Sequence, residues 1–97
     1  MAKGYWVVHV DVENADVYAT YQSFVRPFLM ANGGKFLVRG GQHNVVEGQA
    51  RARTVIIEFA SFAEATSVYH SEAYQAGMQA RLAASVADFV IVEGFDG

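Results

Sequence analysis

The sequence predicts an α+β fold with one antiparallel sheet that carries helices on one face, in the order β-α-β-β-α-β. The first observation is that Tyr5–Val12, Lys35–Arg39, Arg53–Ala60 and Asp88–Phe95 are short runs with strand-like alternation and many β-branched or aromatic residues. The second is that the segments before Lys35 and after Ala60 repeat their apolar residues at helical spacing. The third is that the two middle strands follow each other with no helical segment between them. Chains of this order fold as a split β-α-β sandwich. At 97 residues the expectation is a single domain spanning positions 1–97.

The elements follow in order. In Tyr5–Val12, Trp6, Val8, Val10 and Val12 share one face, while Tyr5, Val7, His9 and Asp11 share the other. Asn14 can cap the first helix, in which Val17, Tyr21, Phe24, Phe28 and Ala31 form a stripe. Pro27 lacks a backbone donor, so an interruption is expected near Ser23–Pro27. Asn32-Gly33-Gly34 stops the helix. In the second strand Phe36 and Val38 oppose Lys35, Leu37 and Arg39, and a resumption of the strand is expected over Gln42–Glu47, beyond a bulge at Gly40-Gly41.

In Arg53–Ala60, Val55, Ile57 and Phe59 oppose Thr54, Ile56 and Glu58. Ser61 and Glu64 form a capping box, and Ser71 caps a second helical stretch over Glu72–Ser85 with Tyr74, Met78 and Leu82 inward. Gly77 inside that stretch weakens it by about 1 kcal/mol relative to alanine, which points to a close packing contact there. In the last strand the expectation sets Val90 and Val92 with the core, and Phe89, Ile91 and Glu93 on the opposite face.

Composition narrows the function. A hydrophobic share of 53% exceeds what a small core needs, so the surplus goes to an interface or a ligand pocket. Cysteine is absent, which removes thiolate chemistry and disulfides. No apolar run is long enough to span a bilayer, and no basic-then-apolar leader precedes the first strand, so a cytoplasmic location is expected. With a net charge of −3 and scattered basic residues, nucleic acid is not an expected partner. The three histidines have no metal-ligand spacing, and the glycine pairs match neither a phosphate loop nor a dinucleotide fingerprint. No metal or cofactor is expected.

The expected outer face of the sheet holds Tyr5, Val7, His9, Lys35, Leu37, Arg39, Thr54, Ile56, Glu58, Phe89, Ile91 and Glu93. That mixture is too apolar for water and too polar for a sealed core. A second copy packed against it would bury the apolar members, with a wet cavity left around the polar ones.

The segments KGYWVVHVDV, GGKFLVRGG, EFASFAEA, SEAYQ and ADFVIVEG together resemble the family called domain of unknown function 1330, over almost the whole chain. Ser71-Glu72 departs from the Ser-Pro-Glu common in that family. The resemblance implies the dimeric α/β-barrel superfamily, with a ferredoxin-like fold and homodimers paired through their sheets. That superfamily holds cofactor-free monooxygenases, small lactone isomerases, haem-binding enzymes and effector-binding domains, so fold alone does not choose a function.

Four residues are the candidates for chemistry. His9 is a candidate general base, against a structural histidine bonded to Glu93 or Glu58. Arg39 suits a carboxylate or enolate by paired hydrogen bonds, against an ion pair with Glu58. Glu58 and Glu93 are a candidate acid/base pair, against simple partners of Arg39 and His9. Tyr18, Tyr69 and Tyr74 read as packing residues, and His43 and His70 as exposed ones. Three functions fit this pattern: a pocket for a small acidic or enolisable molecule with isomerase or monooxygenase-like turnover, the same pocket as a non-catalytic metabolite-binding module, and a polar face that serves only the dimer.

Overall fold

Strand β1 (Gly4–Val12) occupies the interior of the sheet, because it is the run with the most apolar residues on its inner face. The computed structural model describes residues 2–97. After β1 come α1 (Ala15–Ala31), β2 (Lys35–Arg39), β3 (Arg53–Phe59), α2 (Phe62–His70), α3 (Glu72–Gly77), α4 (Gln79–Ala84) and β4 (Ser85–Glu93). The sheet order is β2-β3-β1-β4 with every pairing antiparallel, which is the ferredoxin-like arrangement.

The helix starts form where the side chains can cap them. Asn14 accepts from the Val17 backbone N–H at 3.1 Å, Ser61 from Glu64 at 3.1 Å and Ser71 from Tyr74 at 3.2 Å. Under the helices, Trp6 is fully buried and donates through Nε1 to the Ala65 carbonyl at 2.8 Å. Its ring packs on Phe59, Tyr74 and Phe89 at centroid distances of 5.0, 4.9 and 5.1 Å. Gly77 faces the Phe24 ring so closely that a Cβ would overlap it, so this glycine lets α3 meet α1.

The structure departs from the expected elements in five places. Helix α1 runs unbroken through Pro27. One missing hydrogen bond does not end a helix whose face is held by Tyr18, Tyr21, Val25 and Leu29. Residues 42–47 form no strand. The connection from β2 to β3 is instead tied down at its end, where Arg51 bridges Asp11 and Asp88 at 2.9 Å each and the Ala52 N–H donates to Asp11 at 2.8 Å. The helix expected over Glu72–Ser85 breaks at Met78, and β4 begins already at Ser85.

The other two departures exchange faces. Register sets Phe89 opposite Val8 and Ile91 opposite Trp6, so these two belong to the helix side. Val90 and Val92 pair with Val7 and Tyr5 and are exposed on the open side, the reverse of the expectation. Both alternating sets of β4 are apolar, so only the register could separate them. In β2 a bulge between Phe36 and Val38 turns the strand over. Val38 pairs with Ile56 on the open face, and Arg39 pairs with Val55 on the helix side.

Candidate functional site

One row of residues runs straight across the helix side of the sheet: Arg39 beside Val55, Val55 beside Val8, and Val8 beside Phe89. That row and its neighbours Trp6, Phe36, Ile57 and Arg53 form the floor of a cavity. Tyr18, Tyr21, Gln22, Val25 and Arg26 of α1 and Arg81 of α4 complete the lining. Its free volume of about 40 Å³ matches roughly three water molecules. A groove of about 270 Å³ lies beside it, lined by Ala19, Ser23 and Pro27, and it shares Gln22, Arg26 and Arg39 with the cavity.

Every arginine of the chain except Arg51 lines this cavity, and among the described residues no acidic side chain does. Arg81 lies deepest, with 5% of its surface exposed. Its guanidinium sits 5.3 Å from the Phe89 ring and 5.9 Å from the Tyr21 ring. The Met78 sulfur at 3.7 Å is a weak acceptor for one of its nitrogens, and its Nε has no partner among the described residues. Arg53 likewise has a buried Nε without a partner, and one of its terminal nitrogens reaches the Arg39 carbonyl only at 3.5 Å. Buried polar groups normally have partners, and two guanidinium donors of this one cavity have none among the described residues.

Local structure sets these side chains. Arg53 opens β3 on the same face as Val55, Ile57 and Phe59, as strand alternation requires. Its guanidinium lies against Gly40, where a Cβ would collide with it, and Gly40 has a φ of 72° that disfavours other residues. Arg81 follows Tyr74 and Met78 at the spacing of one helical face, although the helix restarts between them. Arg39 stacks on the Phe36 ring at 5.3 Å, which holds it at the mouth.

The hydroxyl of Tyr21, a lining residue, lies 2.8 Å from that of Tyr74, which is outside the lining. Burial pushes both phenols upward, and for Tyr21 the neighbouring Tyr74 adds to it. Burial opposes the charge on Arg81, while the oxygens of Tyr74 and Tyr21 outweigh it and make the net direction upward. Part of that offset is hydrogen bonding between Arg81 and the Tyr74 oxygen, which a protonated phenol also accepts, while protonated phenols supply no counter-charge to Arg81.

Of the residues singled out from sequence, Arg39 lies in the cavity, but on the face opposite to the one expected. His9 is on the open face with its Nδ1 3.1 Å from the Thr54 hydroxyl, which is 3.4 Å from His43 Nδ1. Glu58 is also on the open face and accepts from the Tyr5 hydroxyl at 3.3 Å. Burial and then the Glu58 charge raise the Tyr5 phenol above its ordinary value. Glu93 pairs with Gly4 at the end of the sheet, exposed and outside the cavity lining. The structure therefore gathers neither His9 with Glu93 nor Arg39 with Glu58. Arg26, Arg53 and Arg81 are the cavity residues that the sequence reading passed over.

Comparison with known proteins supports the fold. A crystal structure of a protein of unknown function from Rhodopseudomonas palustris superposes with a TM-score of 0.78 at 17% identity, over 99% of this chain and 85% of that one. Its methylated form gives 0.76 at 17% identity, over 98% and 82%. A Caulobacter crescentus protein, provisionally named an antibiotic biosynthesis monooxygenase, gives 0.61 at 17% identity, over 99% and 90%. No functionally curated protein matches in sequence. At this identity the structural likenesses carry the fold alone. The family model for a domain of unknown function (DUF1330) matches residues 3–95, and the chain belongs to that family.

Proposed function

We propose that the protein is a homodimer that binds a small organic anion, a carboxylate or an enolate, in the cavity between the sheet and α1. The observation that carries this reading is Arg81, a guanidinium 5% exposed with an unpartnered Nε and no carboxylate in the surrounding lining. A charge buried without a counter-ion costs several kcal/mol, and a bound anion offsets that cost. Arg39 contacts the ligand from the mouth. His9 with Thr54 and Glu58 with Tyr5 serve the open face.

The open face supports the homodimer. Val38, Val86, Val90 and Val92 are exposed there, and a second copy would cover them. The chain's lack of cysteine fits a cytoplasmic setting.

Binding is favoured over isomerisation because the lining contains no histidine, aspartate, glutamate or lysine to take a proton. Turnover of the kind named for the Caulobacter protein would rest on a substrate already ionised or easily enolised, its oxygen held by the arginines. Thermal melting with acetate, pyruvate and adipate tests the reading. A ligand at 100 times its Kd adds about 2.7 kcal/mol to stability. At least one of the three is expected to raise the Tm of the parent protein and leave Arg81→Met unmoved. No shift in the parent, or an equal shift in the variant, contradicts the proposal.

A further inference from the structure

We infer that the ligand is a two-headed anion, a linear dicarboxylate lying across the sheet with one carboxylate at Arg81 and the other at Arg39. This inference rests on the anion-binding reading and adds the ligand's class and orientation. It starts from the row Arg39–Val55–Val8–Phe89. Arg81 stands over Phe89 at one end of that row, and Arg39 is itself the other end. Neighbouring strands lie about 4.8 Å apart, so the ends are on the order of 14 Å apart across the sheet. A charge-assisted N–H···O contact at each end leaves a gap of several ångströms, which an apolar linker would fill. The floor of that gap is Val55 and Val8 and its roof includes Val25, all apolar.

The charges agree with this layout. A single carboxylate at Arg81 would leave Arg26, Arg39 and Arg53 in one lining with no acid among its described residues. The orphaned donors of Arg81 and Arg53 lie on different elements, so acceptors are needed at more than one point along the cavity. The mouth groove, which shares Gln22, Arg26 and Arg39, gives the second head room to stay partly hydrated.

Calorimetric titration of the parent protein and Arg39→Gln decides it, with glutarate, adipate, suberate and monomethyl adipate as probes. Arg39 is exposed, so its replacement leaves the core intact. The expected result in the parent is that one diacid of the series binds at least about tenfold more tightly than the monoester. In Arg39→Gln that advantage falls to about threefold or less, the loss falling mainly on the diacid. If the monoester binds the parent as tightly as the best diacid, the two-headed reading is overturned and the anion site stands. If Arg39→Gln weakens diacid and monoester alike, Arg39 attracts anions generally and the inference also fails. If no probe binds the parent, both the inference and the anion site fall.

Discussion

Replacing Arg81 with methionine should make the unliganded protein more stable and unable to bind anions. The gain comes from removing a charge that is 5% exposed and has no ion-pair partner among the described residues. Swaps of buried ionic groups for apolar ones of similar volume are neutral or stabilising by about 1–4 kcal/mol. Relief of the desolvated, unpartnered Nε is one source of that gain. Against this, the stacking of Arg81 on Phe89 and Tyr21 is lost, at roughly 0.5–2 kcal/mol for each ring. Space vacated by the guanidinium costs about 24 cal/mol per Å³ that stays empty, a term of up to about 1 kcal/mol for a few water-sized gaps. Because no ion-pair attraction is lost, the gain falls near the top of its range, and the balance is a stabilisation of about 1 kcal/mol, which raises the Tm of a domain this size by roughly 4–8 °C. Paired thermal and urea unfolding of parent and Arg81→Met, both free of added carboxylates, measures it. A Tm that drops by several degrees refutes the reasoning, because it means Arg81 is a structural residue whose surroundings already satisfy it.

Other expectations follow from single contacts. Gly40→Ala forces a side chain into a φ of 72° and against the Arg53 guanidinium, so the urea midpoint should fall by the equivalent of about 1–2 kcal/mol and anion affinity should drop with it. Val90→Asp sets a charge in the exposed apolar strip, which is 53% exposed at that residue, so sedimentation should find a dimer for the parent and a monomer for the variant. The Asp11 carboxyl is held below its usual range, first by the Ala52 N–H and then by Arg51. A depressed folded value stabilises above the unfolded value of about 3.9 and is lost as the pH falls through the folded one. Urea midpoints of the parent should therefore decline more steeply below about pH 4 than those of Asp11→Asn, and parallel curves would remove Asp11 from the account.

The strands, caps and helix order were legible because each depends on short-range pattern. Asn14, Ser61 and Ser71 cap the helices where their side chains suggested, and Gly77 makes the close contact its position implied. What alternation cannot supply is register. KFLVR reads as an unbroken strand, yet the bulge at its centre moves Arg39 to the other face. The two apolar sets of β4 are interchangeable until their pairing with β1 is known.

The site was half visible for a related reason. Arg53 shares its alternation with Val55 and Ile57, and Arg81 follows Tyr74 and Met78 on a helical face, so the pattern holds both positions inward although neither was singled out. Hydrophobicity argued instead for Leu82, which is 52% exposed. An arginine at an inward position is a local inconsistency, and such inconsistencies gather at functional sites. His9, Glu58 and Glu93 were conspicuous because they interrupt apolar strands. Register puts the first two on the open face and the third at the sheet's end.

The most direct test of the central claim watches the Arg81 Nε–H itself. Nitrogen-edited NMR of arginine side chains, with Arg81→Met used to assign the signal, follows that proton while adipate is added. The account predicts a downfield shift and slower exchange with water for the Arg81 Nε–H, since a donor without a partner acquires one. An Arg81 signal that stays fixed while only those of exposed Arg26 and Arg39 move would place the anion on the surface and contradict the account.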